Sequence, residues 1–313
     1  MRRIYGAMTP MTAILVLLTC IIASISTRAA RADDGITCMT KAMARVASAV
    51  RLVSDKSQFG YQKGLSLLGA YIRQGAECTI TLPLQKGEAY AFVGAGDDDV
   101  KILNIVVEDD ATGDVVAKDE DTEKFAMVIF EPNKTGKYRV KLRFLKGSVL
   151  DGTKVPSFCG LGILRKGGWD VPTSNLVDAV GRCMAKVQSL AAPGLAHHFL
   201  DIPNQWSFFG GVANEGSEMT LNKMTLGAGS HLFCAASDTH ANAIKFSLLN
   251  DQEDVIKEDA YDDTFKIFAA STVGSKTYGL RLINKDSKSP SMIVGVVLDQ
   301  ERTQESPPVR TRL

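Results

Sequence analysis

The stretch Glu77 to Asp97, ECTITLPLQKGEAYAFVGAGD, is answered by Glu218 to Asp238, EMTLNKMTLGAGSHLFCAASD. A constant shift of 141 lays Gly69 on Gly210, Gly75 on Gly216, Glu77 on Glu218, Thr79 on Thr220, Phe92 on Phe233, Ala95 on Ala236 and Asp97 on Asp238. It also pairs Leu103, Ile105 and Val107 with Ile244, Phe246 and Leu248, so an alternating apolar face is kept in phase. Beyond this point the shift becomes 140, pairing Asp114 with Asp254, Asp119 with Asp259, Phe125 with Phe265, Tyr138 with Tyr278 and Leu142 with Leu282. The lost residue falls where EDDATGDVV (Glu108 to Val116) faces LNDQEDVI (Leu249 to Ile256), two strings of turn formers. Inside a strand such a slip would turn every following side chain to the wrong face; in a hairpin turn it costs little. The chain is therefore an internal duplication of strands joined by turns.

Each copy reads as about seven strands. KYRVKLRF (Lys137 to Phe144) sets Tyr138, Val140, Leu142 and Phe144 on one face and Lys137, Arg139, Lys141 and Arg143 on the other. The remaining runs of the first copy are 77–84, 88–94, 100–108, 113–118, 124–131 and 158–165; those of the second are 218–226, 230–236, 243–249, 253–258, 264–270, 278–284 and 291–298. Short strands at this spacing, punctuated by Asp, Gly, Asn and Pro, predict a mainly β protein of two tandem antiparallel β-sandwich domains. An amphipathic helix is expected before each. Met39, Met43, Val46, Val50 and Val53 form one apolar stripe, and Leu176, Val180, Cys183, Val187 and Leu190 repeat it, with Ser174 or Asn175 as the cap. CMTK at Cys38 and CMAK at Cys183 suggest a second register, which would put the two stripes out of phase.

The ends of the chain carry different signals. Arg2 and Arg3, the 15-residue apolar run Met11 to Ile25 and the small residues around Ala32 make residues 1–32 a signal peptide, cleaved after Ala32, and imply a periplasmic or secreted protein. The run is short of the ~20 residues that span a bilayer, and no comparable run follows, so no membrane span is expected in the mature chain. The expected organisation is 33–165 for the first helix and sandwich, 166–174 for a linker, 175–299 for the second unit and 300–313 for a disordered tail. Cys38, Cys78, Cys159, Cys183 and Cys234 then remain, an odd number that permits one or two disulfides and leaves at least one thiol over. With 36 basic and 35 acidic residues there is no net field to draw nucleic acid.

The order Asp-rich turn, GDVVAKDED, strand, EPNKTGKYRVKL resembles the bacterial pre-peptidase C-terminal domain and related jelly-roll accessory domains of secreted proteins. The matching positions are Asp110, Gly113, Asp119, Gly136 and Tyr138, and in the second copy Asp251, Asp259 and Tyr278; Lys276 stands where a glycine is expected. The resemblance implies binding, targeting or secretion rather than catalysis.

Candidate site residues are few. Asp97, Asp98, Asp99 and Asp238 offer hard oxygen ligands for calcium, without the spacing of an EF-hand loop. The histidines are His197, His198, His231 and His240, the first two adjacent and ill placed to converge on zinc. No G-x-S-x-G, H-E-x-x-H or P-loop occurs, and GAGDDD lacks the third glycine of a dinucleotide site. Trp206, Phe208 and Phe209, with Phe59, Tyr61 and Tyr71 in the first copy, are read as covering the gap between helix and sandwich. The expectation is an exported, non-catalytic protein, without a required cofactor, that binds another envelope or extracellular protein. The alternatives are a calcium- or glycan-binding module, and a hydrolase in which His231 or His240 would lie within reach of a Ser or Asp.

Overall fold

The computed structural model describes residues 35–302, apart from 151, 152, 155, 191–194 and 260. The expected signal peptide with its cleavage point, and the chain beyond Arg302, lie outside the described residues.

Helix α1 spans 35–56. The first set of strands is β1 (Phe59–Tyr61), β2 (Gly64–Ile72), β3 (Glu77–Leu84), β4 (Tyr90–Gly96), β5 (Val100–Asp109), β6 (Val115–Lys118), β7 (Phe125–Phe130), β8 (Gly136–Gly147), the short β9 (Val149–Leu150) and β10 (Thr153–Lys154), and β11 (Ser157–Lys166). Helix α2 (Thr173–Ser189) opens the second half, followed by β12 (Leu195–Phe199), β13 (Phe208–Ala213), β14 (Glu218–Thr225), β15 (Gly229–Ser237), β16 (Ala241–Leu249), β17 (Val255–Glu258), β18 (Phe265–Thr272), β19 (Thr277–Ser287) and β20 (Ser291–Arg302).

The duplication repeats the pairing of both sandwich sheets, the short β9–β10 hairpin being confined, among the described residues, to the first half. In the first half β11 pairs with β1 and β2 on one side and β4 on the other, with β7 beyond β4, and this sheet lies over β3-β8-β5-β6. The second half repeats the arrangement with β20, β12, β13, β15 and β18 over β14-β19-β16-β17. Tyr138 lies opposite Leu82 and Tyr278 opposite Met224, matching places in the two halves. The one-residue gap sits in the turn from β5 to β6, closed by Asp109 N–H to the Asp114 carbonyl in one copy and Asn250 N–H to the Asp254 carbonyl in the other. A second irregularity, invisible in a gapless alignment, is a bulge in β14 between Leu221 and Met224, where Lys223 takes φ 62°.

Each sandwich buries the expected alternating faces. Tyr138, Val140, Leu142 and Phe144 meet Phe92, Leu103 and Ile105 between the sheets. The outer face of the four-stranded sheet carries the charges, where Lys141 pairs with Glu108 at 2.7 Å and Glu77 at 3.4 Å and Arg143 pairs with Glu77 at 3.3 Å. The helices lie on the opposite side. Met39, Met43, Val46 and Val50 are buried on the five-stranded sheet, and Gly160 and Gly162 of β11 leave the space that Met43, Val46 and Val50 occupy.

The two halves are not independent bodies. The same strand of each repeat forms the junction: β2 and β13 run past one another, with the Ser207 N–H donating to the Gly69 carbonyl at 2.9 Å. Trp206 Nε1 donates to the Thr79 carbonyl at 3.0 Å, Asn204 Oδ1 accepts the Thr79 N–H at 2.7 Å, and Arg73 pairs with Asp201 at 2.7 Å. The buried apolar clusters run through both halves, so each sandwich keeps its own pair of sheets but shares its core.

Several expectations change. Within residues 166–174, expected as the linker, Lys166 belongs to β11 and Trp169 exchanges two 2.8 Å backbone hydrogen bonds with Tyr61. The cap of α2 is Pro172, without a side-chain bond, and Asn175 sits inside the helix because its amide is drawn to Asp238. Strand β20 reaches Arg302, into the stretch read as tail, because β12 pairs with residues 298–302. Of the aromatic residues read as gap fillers, Phe59, Tyr61, Tyr71 and Phe208 pack in the helix-side cluster as expected, whereas Phe209 points between the sheets and Trp206 crosses to the other half.

Candidate functional site

The calcium candidates do not come together. Asp97, at the end of β4, is 2% exposed. Its Oδ2 accepts the Phe158 N–H at 2.8 Å and its Oδ1 the Asp99 N–H at 3.1 Å. Burial raises its carboxyl above the usual range, and these two backbone bonds partly hold it down. Asp238, at the end of β15, repeats the device, accepting the Met292 N–H at 2.9 Å, the Asn175 amide at 2.8 Å and the His240 N–H at 3.0 Å. Asp98 turns outward to Lys41 at 2.5 Å and to Arg45, and the hydrogen bonds from these two cations hold its carboxyl below the usual range. The buried pair thus ties strand β4 to β11 and β15 to β20, and Asp98 ties α1 to its sandwich. Among the described residues no group of three or more His, Cys, Asp or Glu side chains is placed to hold a metal ion.

The residues shared with the pre-peptidase C-terminal pattern are also staples. Asp119 accepts the Asp121 and Met127 N–H groups, each at 3.0 Å, and Asp259 accepts those of Tyr261 at 3.0 Å and Ile267 at 2.9 Å. Tyr138 donates its hydroxyl to the Lys134 carbonyl at 2.9 Å, while the Tyr278 hydroxyl accepts the Val273 N–H at 2.8 Å. Gly113 takes φ 79° in the turn after β5, and Asp110 lies 3.4 Å from Arg139.

His231 is the histidine that meets the hydrolase expectation in part. Its Nδ1 is 2.8 Å from Asp299 Oδ1, a contact that follows from the β15/β20 register, which sets the two residues opposite each other. Its Nε2 is 3.0 Å from the Gly227 carbonyl, and the ring is 2% exposed. Both neighbours are acceptors, Gly227 within hydrogen-bond geometry of Nε2 and Asp299 at ion-pair distance from Nδ1 without hydrogen-bond geometry, so the site favours the charged imidazolium. Burial alone would lower its pKa; the Asp299 carboxylate, with the Gly227 carbonyl, more than offsets this and raises it. The nitrogen that a nucleophile would need is committed to a backbone carbonyl. His240 Nδ1 is 3.4 Å from Asp238 Oδ2. His197 and His198 lie on β12, a strand, where adjacent residues point to opposite faces.

The five cysteines among the described residues are all free thiols. Burial pushes Cys78 and Cys234 up to about 12 and, with Asp97 nearby, Cys38 to about 11, so they behave as packing groups rather than nucleophiles.

Two surface features escaped the sequence. One is an open cleft of about 320 Å³ at the tip of the first sandwich, lined by Asp109, Asp110, Lys134, Thr135 and Lys137. The other is β7, in the run expected as a strand over 124–131: only Ala126 and Val128 are buried, at 2% and 4%, while Phe125, Met127 and Ile129 are 38%, 51% and 59% exposed. No polar residue breaks the run, so no sequence signal marked the open face.

No family model matches the chain, and no curated protein matches it. Among solved structures, the human MASP-1/3 CUB1-EGF-CUB2 region is similar at 7% identity over 77% of this chain and 100% of that one, with a TM-score of 0.20. The PBSX exported protein XepA is similar at 12% identity over 76% and 86% of the two chains, with a TM-score of 0.24. The CBM22-1-CBM22-2 tandem of Paenibacillus barcinonensis Xyn10C is similar at 9% identity over 78% and 91%, with a TM-score of 0.22. Likenesses this slight add nothing to the architecture described above.

Proposed function

We propose that the chain is an exported, non-catalytic protein that works by binding another protein of the cell envelope or the extracellular space. The observation that carries this reading is where the reactive side chains go. Asp97, Asp119, Asp238 and Asp259 spend their oxygens on backbone N–H groups, and His231 is enclosed between Asp299 and Gly227, while apolar side chains stand open on β7. Buried staples and an exposed apolar strand suit a scaffold that presents a surface. The likeness of Asp119, Gly136 and Tyr138 to the pre-peptidase C-terminal pattern points the same way. Cross-linking in the native envelope followed by mass spectrometry tests it: recurrent cross-links to one protein support the reading, and their absence overturns it.

A second reading is a glycan at the cleft between Asp109 and Lys137, favoured by a volume near 320 Å³ and by the Asp110, Lys134 and Thr135 side chains that line it. A rise in melting temperature on titrating oligosaccharides would support it over a protein partner.

A further inference from the structure

The two repeats differ in how the helix covers the edge strand of the helix-bearing face. Arg45 donates to the Gly96 carbonyl at 2.8 Å and Arg182 to the Ser237 carbonyl at 2.9 Å. Since 96 and 237 are equivalent, the helices superimpose at a shift of 137, which matches the apolar stripes and rejects the register that aligns Cys38 with Cys183. At this shift Lys186 corresponds to Ala49. Lys186 Nζ lies 5.3 Å from the centre of the Phe265 ring, and Phe265 and Ile267 are partly buried beneath α2. Phe125 is the counterpart of Phe265, but Ala49 cannot reach it, and the stripe Phe125, Met127, Ile129 stays open. The second repeat is also less apolar here, with Ala269 in place of Ile129.

Around the open stripe the charge is negative. Glu120, Asp121, Glu123 and Glu131 are exposed, against Lys118, which pairs with Glu120, and Lys124, whose Nζ is 5.7 Å from the Phe125 ring centre. The edge of β7 is partly closed, because the Met127 N–H is held by Asp119 at 3.0 Å. A partner therefore cannot simply add a strand along that edge and must lie across the face. A second copy would bring the same carboxylates against each other.

We propose that the outer face of β7, beside α1, docks a basic amphipathic segment of the partner protein: its apolar side chains pack on Phe125, Met127 and Ile129, and its lysines or arginines meet the flanking carboxylates. Both repeats show the chemistry within one chain, Lys186 over Phe265 from the helix and Lys124 over Phe125 from the strand's own start. The inference rests on the reading of the chain as a protein binder and names the surface and the partner's character.

The test is a titration of purified protein carrying ¹³C-methyl methionine with an alternating Leu-Lys octapeptide and with its Leu-Glu counterpart. The Met127 methyl signal, assigned by its loss in Met127→Leu, is expected to shift saturably with the Leu-Lys peptide only. Ile129→Asp, at a solvent-facing position, is expected to weaken that binding about tenfold while leaving the melting temperature in place. No saturable shift, an equal response to both peptides, an unchanged affinity in Ile129→Asp, or a Met127 shift driven by protein concentration alone would each overturn the proposal. In the native cross-linking experiment, capture of the same partner by Ile129→Asp overturns this surface and leaves the protein-binding reading standing. Peptide binding without any native partner does the reverse.

Discussion

Asp97 and Asp238, 141 residues apart, hold the same bond in two sandwiches: Oδ2 of each accepts a backbone N–H from the last strand of its repeat, Phe158 at 2.8 Å and Met292 at 2.9 Å. Removing either carboxylate leaves a buried N–H without an acceptor. Asp97→Ala and Asp238→Ala are each expected to cost about 1 to 3 kcal/mol in urea unfolding, with an unchanged m-value. Millimolar calcium should leave the wild-type melting temperature where it is, since these oxygens are already engaged; a rise of several degrees would show that the acidic loop binds the ion.

The strand pattern was legible in the sequence because its period survives duplication: the Tyr138 to Phe144 alternation and the single gap after Glu108 located β8 and the β5–β6 turn. Six strands were not: β1, β2, β9, β10, β12 and β13. β2, GLSLLGAYI, and β13, FFGGVA, are buried on both faces, so they show no alternation, and their partners β11 and β20 are distant in sequence. The junction they form has no signature in either repeat alone. The His231–Asp299 contact likewise depends on a cross-strand register that only the fold supplies. The exposure of β7 depends on what α1 fails to cover.

Two glycines separate the roles of space and backbone freedom. A Cβ at Gly211 would run into the Gly64 carbonyl and come within 2.6 Å of Ser66 Oγ, at the join between the halves. Gly181, inside α2 and exposed, has nothing within 4 Å. Gly181→Ala is expected to stabilise the protein by about 0.5 to 1 kcal/mol through helix propensity, and Gly211→Ala to destabilise it by more than about 2 kcal/mol. Chemical denaturation of the two variants checks both signs.

Protonation of His231 should be visible as a pH dependence of stability. Its pKa is raised in the folded protein, so its contribution is complete below the unfolded value near 6.5 and is lost as the pH rises through the folded value. The groups facing it are Asp299 on β20 and the Gly227 carbonyl, which also accepts the Thr272 hydroxyl at 2.5 Å. Melting temperatures measured from pH 5.5 to 8.5 are expected to fall with pH more steeply in the wild type than in His231→Gln. Equal slopes would mean that the ring stays neutral throughout.

The last prediction concerns how many bodies unfold. Trp206 belongs to the second repeat by sequence, is 3% exposed, and donates to the Thr79 carbonyl of the first; Asn204 and Asp201 add bonds to Thr79 and Arg73 across the same boundary. Two sandwiches linked only by a tether would melt separately. With β2 against β13 and a shared apolar core, calorimetry of the intact chain is expected to give one transition whose van't Hoff and calorimetric enthalpies agree. Trp206→Ala removes a large buried side chain and leaves the Thr79 carbonyl without its partner, at an expected cost of about 3 to 5 kcal/mol. If the junction couples the halves, that loss lowers a single transition; a split into two transitions in the wild type would show that the halves fold as separate units despite their contacts.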